Sequence, residues 1–538
     1  MMTPSRIRSA AGAANYYGKD DYYVTGEAGA PGIAWGGRGG EALGLSGTAV
    51  AADFQSVLAG PNPAPAGPPL SGAGAKARHH PGWDFTFTVP KSVSLAIVAA
   101  ERHDPELAAR LQEHVMAANA AMMGHLEANH AFTRVRGPGG AIREVQTGNL
   151  VYASVLHRTT RGGDPHFHVH NPTANTTRNP ETGTWGALET KHIYRWQQLA
   201  SQVGARELQA RLMAEGFDLV RHGELKWEIA GVDPSLLAAF SRRTAEIDDA
   251  GAALATARKL DRLTPAQRDM VQKQTRKAKA PVDRDRLAED WGARAAAVDH
   301  DALERLLSRG AEPGRDVSPT LVGRMGASLH ALTLGLRALT GGTQQTDAFA
   351  AAPGRDPDPE ARRLAAFGVK VVEAGSAVAS RYGALLQAAR ITPTGLRVDR
   401  LEAAMDRLTR DGHVLPADQA MPGGITTRRM VEVERAIVGA VAAGRGAARP
   451  ILSQAAADRA LQAASTSDTL NAGQRAAVVW LLTSADRIRA VPGFAGVGKT
   501  FAFATVAEIA TRSGQRLHGL SSVNTHVQQL RDGAGIPA

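Results

Sequence analysis

An α+β fold is expected for the first part of this 538-residue chain, followed by a mostly helical segment and the opening of an α/β nucleotide-binding domain. Three observations predict it. Residues 83–89 and 166–170 alternate apolar with polar side chains, the period of strands whose two faces differ. A tight turn at Gly162-Gly163 joins two strand-like runs, which makes their pairing antiparallel. Near the end, a Gly-rich loop stands between a strand-like run and a helical one.

The elements follow in order. The opening, MMTPSRIRSAAGAANYY, lacks the apolar core of a signal peptide, and apolar stretches such as 95–100 and 436–443 fall short of the ~18 residues a transmembrane helix needs. A cytoplasmic protein without stable membrane insertion is expected. Residues 61–82 are dense in Pro, Gly and Ala and read as a loop interrupting one domain. In the strand 83–89, Asp84 falls on the polar face. Residues 90–94 start a helix that runs to Arg102, a second helix spans 105–129, and strand-like runs cover 144–158 and 166–170. Residues 194–216 read as a helix, 217–229 as a hairpin around His222-Gly223, and 255–297 as a charged helical segment. Two linkers, 308–320 and 341–359, bracket a helix at 321–340. Helices over 362–408 run into a short β-wing with a turn at Asp411-Gly412, which suggests a winged-helix-like module. The last segment has helix 474–484, strand 487–491, the Gly-rich loop, and helix 499–512 with Gly514 as its C-cap. Domain boundaries are placed at 1–307, 308–360, 361–464 and 465–538.

Composition narrows the chemistry. Lys+Arg number 62 against 52 Asp+Glu, a formal charge of +10 that favours a polyanionic partner. Cysteine is absent, which excludes disulfides, thiolate zinc sites, Fe–S clusters and cysteine nucleophiles, so a metal site must use His, Asp or Glu. The chain has only 7 tyrosines, yet Tyr16, Tyr17, Tyr22 and Tyr23 crowd together.

In HRTTRGGDPHFHVH, the Gly-Gly turn places His157 opposite His168, and His170 two residues on shares that face. Three neutral imidazoles suit a divalent ion with open positions for a substrate oxygen. His166 shares the face as well, and a solvated polar face or protonated histidines touching phosphates remain open readings. A tyrosine hydroxyl, with pKa ~10, attacks phosphorus at neutral pH only when the phenolate is stabilised or the phosphate activated. A bound cation would activate the phosphate, and Asp84 would orient a ligand imidazole or accept the phenolic proton.

Together these residues resemble the MobF-type conjugative relaxase-helicases, the TraI/TrwC-like proteins. The matching stretches are SAAGAANYYGKDDYY (9–23), WGGRGGEALGLSG (35–47), WDFTFTVPKSVS (83–94), TGNLVYASVLHRTTRGGDPHFHVH (147–170) and RKAKAPVDRDRLAEDW (276–291). The resemblance covers about residues 1–300. It implies an HUH (histidine-hydrophobe-histidine) relaxase domain with Val169 as the hydrophobe, Tyr16 as nucleophile, and Tyr22 as the tyrosine of a second strand transfer, with Tyr17 and Tyr23 as neighbours. It also implies His157, His168 and His170 as metal ligands, with Mg²⁺ or Mn²⁺ expected, and Asp84 as the acidic residue beside them. After His170 the chain reads NPTANTT where the family has a continuous apolar strand, and Pro172 cannot donate to a ladder, so a disturbed strand is expected there. The implied reaction nicks and rejoins single-stranded DNA at a plasmid transfer origin through a 5'-phosphotyrosyl link. Relaxosome accessory proteins, a type IV secretion coupling protein, and export to the recipient with the DNA are implied as well. Lys19, Arg38, Lys91, Arg158 and Arg161 lie near the motifs, each read first as an ordinary surface charge.

GFAGVGKT, residues 493–500, satisfies G-x-x-x-x-G-K-[ST] between a strand and a helix. Its amides, with glycines Gly493, Gly496 and Gly498, would cradle ATP phosphates, Lys499 would reach the β/γ-phosphates, and Thr500 would hold Mg²⁺. LNAGQRAAV resembles the Q-motif of superfamily 1 helicases, which implies that Gln474 reads adenine. No acidic DE motif, second lobe or arginine finger follows before Ala538, so this polypeptide is not expected to unwind DNA by itself. Two other readings stay open: a non-catalytic DNA-binding or pilot fragment, and a replication initiator of the wider HUH group.

Overall fold

The computed structural model describes residues 1–17, 24–25, 33–63, 67, 70, 80–160, 162–223, 225–275, 282–308, 356–419, 421, 423–465, 469–494, 496–521 and 524–537. Tyr22, Tyr23, Lys19, Arg161, the linkers at 309–355 and the helix expected at 321–340 lie outside them. Two compact units divide between Thr426 and Thr427, within the stretch 361–464.

The first unit is built on a six-stranded antiparallel sheet. Its strands are β1 (Met2–Ile7), β2 (Ala34–Gly36), β3 (Gly82–Thr88), β4 (Tyr152–Thr159), β5 (Pro165–His170) and β6 (Pro172–Ala174), in the order β1-β3-β5-β4-β2 with β6 pairing both β3 and β4. Period-2 patterning gives each strand two different faces. On β3, Phe85 and Phe87 are buried in the main core while Asp84 and Thr86 face the other way. On β4, Ala153 and Val155 join a smaller core on that second side, and His157 continues their face. The helices Ala10–Tyr17 (α1) and Ala51–Ala59 (α2) cover this side, with Phe54, Val57 and Leu58 almost fully buried.

Three long helices bury the main-core face: α3 (Lys91–His103), α4 (Pro105–His130) and α5 (Lys191–Ala214). Asp104 caps α4, accepting from the Leu107 amide at 3.0 Å, with Pro105 at the first helical position. Gly204 lets α5 approach: a Cβ there would meet the Phe87 ring at 2.7 Å and the Ala118 carbonyl at 3.0 Å.

Two sequence expectations are corrected here. The run 144–158 is two strands in different sheets: Ile142–Gln146 pairs with Phe132–Arg136, and β4 begins only at Tyr152. Gly148, at φ 64°, turns the chain between them. The helical segment 255–297 is likewise broken into Arg242–Ala257, Pro265–Gln274 and Arg284–Val298. A left-handed Lys259 ends the first piece, and a Thr264/Gln267 capping box followed by Pro265 starts the next. The expected hairpin at 217–229 forms, with Leu219–Arg221 paired to Trp227–Ile229.

Helices Pro359–Glu373, Arg381–Ile391 and Val398–Arg410 follow, with a small sheet of Ala379–Ser380, Gly424–Thr427 and Val414–Pro416 in which Gly424–Thr427 is central. The turn expected at Asp411-Gly412 forms where helix Val398–Arg410 gives way to strand Val414–Pro416, with Gly412 left-handed at φ 71°. This module shares a core with α5 through Leu199 and Val203. Two arginines fasten it: Arg206 donates to the carbonyls of Ala389 (2.7 Å) and Pro393, and Arg221 to those of Arg390 (2.5 Å) and Thr392 (3.0 Å). They satisfy the open carbonyls at the C-terminal end of helix Arg381–Ile391 and complement its dipole.

His130 lies at the same junction, 1% exposed, edge-on to Tyr382 at 4.7 Å and beside His125, whose Nδ1 is 3.4 Å from Glu402. Its Nε2 is buried without a hydrogen-bond partner. Burial, and then the charges of His125 and His192, push it down from 6.5 to about 3. Because the folded value lies below the unfolded one, the unfolded chain binds more protons, and stability falls as pH drops from 6.5 toward 3. The slope approaches about 1.4 kcal/mol per pH unit for one such group. Urea midpoints at pH 7 and pH 5.5 are expected to show wild type losing about 1 kcal/mol more than His130→Leu. Equal losses would remove His130 as a source of acid sensitivity.

The second unit holds helices Arg428–Gly444, Gln454–Gln462, Ala472–Thr483, Lys499–Arg512 and Asn524–Ala534, around Leu461, Val478, Leu482, Val506 and Ile509. The strand expected at 487–491 does not form. No neighbouring strand is present among the described residues of this unit, so the segment has no ladder to join. Arg489 fixes it differently, donating to the carbonyls of Leu481, Ser484 (2.7 Å) and Asp486 (2.9 Å). No helix among the described residues is long and apolar enough to cross a membrane.

Candidate functional site

The hairpin β4–β5 places His157 directly opposite His168, with a register shift between His157 and Thr159 and with Val155 opposite His170. The three rings of His157, His168 and His170 lie with centroids 4.7–5.4 Å apart, and one ligand atom from each falls within 4.8 Å of the others. His166 shares the strand face, its ring 5.0 Å from that of His168, but is not part of this triad.

Asp84, 3% exposed, organises one side of the triad. Its Oδ2 lies 2.5 Å from His170 Nδ1 and accepts from Thr86 Oγ1 at 3.2 Å, while Oδ1 accepts from the Asn171 amide at 3.0 Å. Burial by itself would raise this carboxyl, but the His170 charge and the hydrogen bonds from His170, Tyr17 and Asn171 outweigh it and hold the group below the usual carboxylate range. With Nδ1 engaged by Asp84, His170 offers Nε2 to a metal. His168 Nδ1 lies 2.7 Å from the His166 carbonyl, which likewise leaves Nε2. Burial and the neighbouring His170 push His168 down to about 4, so it is neutral and ligand-competent at physiological pH. Two imidazoles oriented through their second nitrogen, with a third opposite, fit a divalent ion.

The disturbance expected at Pro172 takes a specific form. Asn171 falls between the two strands, its carbonyl still accepting from the Phe85 amide at 3.2 Å, and its side chain bonds the Phe85 carbonyl at 2.7 Å, Asn119 and Ser154. The strand then resumes as β6, with Pro172 opposite Asp84. The break frees the Asn171 amide to bind the Asp84 carboxylate.

Of the four tyrosines, Tyr17 is the one whose side chain the structure describes. It is 8% exposed, donates from its hydroxyl to Asp84 Oδ2 at 2.9 Å, and sets its ring 5.4 Å from that of His170. Tyr16 precedes it in the last turn of α1, and its side chain lies outside the described residues. A cleft of about 400 Å³ opens here, lined by Tyr17, Asp84, Thr86 and His170 and by Arg6, Arg8 and Ser9 at the end of β1 and the start of α1. Sequence reading passed over Arg6 and Arg8, since nothing local distinguishes them from surface arginines. Thr86 was available as the residue two beyond Asp84 on the same strand face.

In the second unit, Gly496 and Gly498 are left-handed, at φ 81° and 78°, and Lys499 opens the helix that follows. The Lys499 ammonium donates to the carbonyls of Gly493 and Phe494, each at 2.8 Å. Gln474 closes a capping box with Asn471 and donates to the Val497 carbonyl at 3.0 Å, so it ties the preceding helix to the loop. A Cβ on Gly498 would meet the Gln474 amide nitrogen at 2.5 Å.

The TrwC relaxase family matches residues 10–298, more than half of the chain. The chain belongs to the TrwC relaxase family. An AAA domain matches residues 469–538, which fits a relaxase followed by a nucleotide-binding part. The Escherichia coli (strain K12) multifunctional conjugation protein TraI is 34% identical over 304 residues, or 54% of this chain. The chain spans 16% of that relative's length. Among solved structures, the conjugative relaxase TrwC in complex with oriT DNA, metal-free, is 30% identical and covers 56% of this chain and 100% of its own, with a TM-score of 0.48. A metal-bound TrwC complex with oriT DNA is 31% identical and covers 55% and 98%, also with a TM-score of 0.48. The relaxase match takes in both halves of the His157/His168/His170 hairpin, Asp84 and the tyrosine pair.

Proposed function

We propose that this chain is a metal-dependent DNA relaxase that nicks and rejoins single-stranded DNA at a plasmid transfer origin through a 5'-phosphotyrosyl intermediate. The observation that carries this reading is a three-histidine cluster whose member His170 meets the buried Asp84 and the Tyr17 hydroxyl at an open cleft. His157, His168 and His170 would hold the ion, with Mg²⁺ or Mn²⁺ the expected occupant. When bound, such an ion supplies Lewis-acid activation of a phosphodiester oxygen.

The protein's own groups do the rest. Asp84 holds His170 in one tautomer and orientation. Tyr16, by its match to the family's first tyrosine, attacks phosphorus; the new Tyr O–P bond replaces the P–O3' bond, and the leaving 3' oxygen takes up a proton. The linkage retains the phosphodiester energy, so the 3'-hydroxyl can reverse the step without ATP. Tyr22 is assigned to a second transfer, with Tyr23 as its neighbour. Arg6 and Arg8, at the cleft wall, would meet the DNA backbone.

A second reading is favoured by the 2.9 Å bond between Tyr17 and Asp84: Tyr17 itself is the attacking group, its proton passing to the carboxylate. Incubating single-stranded oligonucleotides that carry candidate transfer-origin sequences with the protein and Mn²⁺, then resolving covalent adducts on denaturing gels, tests both. No adduct on the cognate sequence would leave a non-catalytic DNA-binding protein as the better reading.

For the second unit, we propose ATP with Mg²⁺ at residues 493–500, phosphates on the loop amides, Lys499 on the β/γ-phosphates, Thr500 on Mg²⁺ and Gln474 near the base. Lys499→Ala is expected to weaken binding of a fluorescent ATP analogue at least 10-fold, because a charge-assisted contact is worth about 1.5–3 kcal/mol. Unchanged affinity would place the nucleotide elsewhere. Relaxosome accessory proteins and a secretion-system coupling protein are the partners this reading calls for, with action in the cytoplasm and delivery to the recipient along with the DNA.

A further inference from the structure

The stretch 276–291 belongs to the resemblance, yet none of its described residues lines the site. Its place in the fold supplies a role. The turn joining the two histidine-bearing strands is gripped from outside by helices Arg242–Ala257 and Arg284–Val298. Asp164, 1% exposed, accepts from the Arg242 amide at 3.1 Å and from Arg242 Nε at 2.8 Å, and its Oδ1 also accepts from Arg294 Nη1 at 2.9 Å. Arg242 Nη2 donates to the Gly162 carbonyl at 2.6 Å, and Trp291 Nε1 to the Gly163 carbonyl at 2.7 Å. Lys91 donates to the Pro165 carbonyl at 2.6 Å, at the first residue of β5. Within the turn, Thr160 and Asp164 exchange backbone and side-chain bonds.

Past Ser154, toward the turn, β4 has no strand but β5 beside it among the described residues, so that end of the hairpin is held by a single ladder. Here the ladder carries an irregularity between His157 and Thr159, next to one ligand, and so defines the spacing of His157 from His168 and His170 poorly by itself. The clamp removes that freedom by holding successive turn carbonyls and a buried carboxylate.

We propose that Arg242, Trp291 and Arg294, acting on Asp164 and the Gly162-Gly163 carbonyls, are positioning residues that set the geometry, and hence the affinity, of the metal site. The inference rests on the metal reading of His157, His168 and His170. Its action is at a distance: none of the three touches a ligand histidine. Trp291→Phe keeps the buried ring and removes one hydrogen bond, and Arg242→Lys keeps the charge and loses the fork that spans Asp164 and Gly162.

The test is titration of the full chain with Mn²⁺ and with Co²⁺, by calorimetry and by the visible Co²⁺ spectrum, alongside thermal unfolding of the metal-free proteins. Wild type is expected to bind one ion per first unit. Trp291→Phe and Arg242→Lys are expected to weaken it about 10-fold, the scale at which outer partners tune metal sites. A changed Co²⁺ spectrum and a nearly unchanged metal-free melting temperature are expected with it. Wild-type metal affinity and spectrum in both variants would overturn the clamp and leave the metal reading intact. Loss of affinity only in step with loss of the metal-free fold would also overturn it, since the residues would then be structural. No binding by wild type would overturn the metal reading and the clamp together.

Discussion

Tyr16→Phe is expected to abolish the proposed covalent adduct with single-stranded DNA, and Tyr17→Phe to slow adduct formation by roughly 10-fold, the loss of about one charge-assisted hydrogen bond. The first effect is absolute because no other atom of a phenylalanine can form the ester. The second follows from the Tyr17 hydroxyl at Asp84: without its donor, the carboxylate keeps Thr86, Asn171 and His170 but loses one of the bonds that fix it. Adduct bands on a denaturing gel, timed with each variant, provide the measurement. A result with the roles exchanged, adduct lost in Tyr17→Phe and retained in Tyr16→Phe, would transfer the nucleophile to Tyr17. Retention in both single variants and in the double variant would end the reading that this helix supplies the attacking group.

Removing the metal, or one of its ligands, has the next largest effect. His168→Ala, or chelation with EDTA, is expected to lower the nicking rate by about 10²–10⁴-fold, because Lewis-acid stabilisation of the transition state is worth several kcal/mol and each 1.36 kcal/mol is a factor of ten. His168 is the informative position. Burial and the neighbouring His170 lower its pKa, which favours the neutral, ligand-competent form. Restoring Mn²⁺ should rescue the chelated wild type but not His168→Ala at matched concentration. Full activity after exhaustive chelation would show that the three histidines act without an ion, as direct phosphate contacts.

Much of the site could be read from local sequence because it is built from local geometry. A tight Gly-Gly turn sets which residues face one another, so His157 opposite His168 needs no knowledge of the fold, and the period of a strand puts His170 and Asp84 on definite faces. What was not legible depends on distant pairings. The Tyr17–Asp84 bond spans 67 residues, and the Arg206 and Arg221 bonds to the end of helix Arg381–Ile391 span more than 160. Propensity also misled where context was absent. Residues 487–491 have a strand's composition but no neighbouring strand among the described residues, and Arg489 holds them as an irregular segment. The clamp on Asp164 was invisible for a related reason, since its arginines look like any others until the fold brings them to one buried carboxylate.

The irregular register between His157 and Thr159 bears on how this chain can diverge. Strand side chains alternate faces, so one residue gained or lost between His157 and His168 would either erase the bulge or swing a histidine to the opposite side of the sheet. Exchanging residues in the turn leaves this register in place, whereas changing its length by one does not. Loop length, ordinarily the most permissive property of a surface connection, is here tied to where the histidines point.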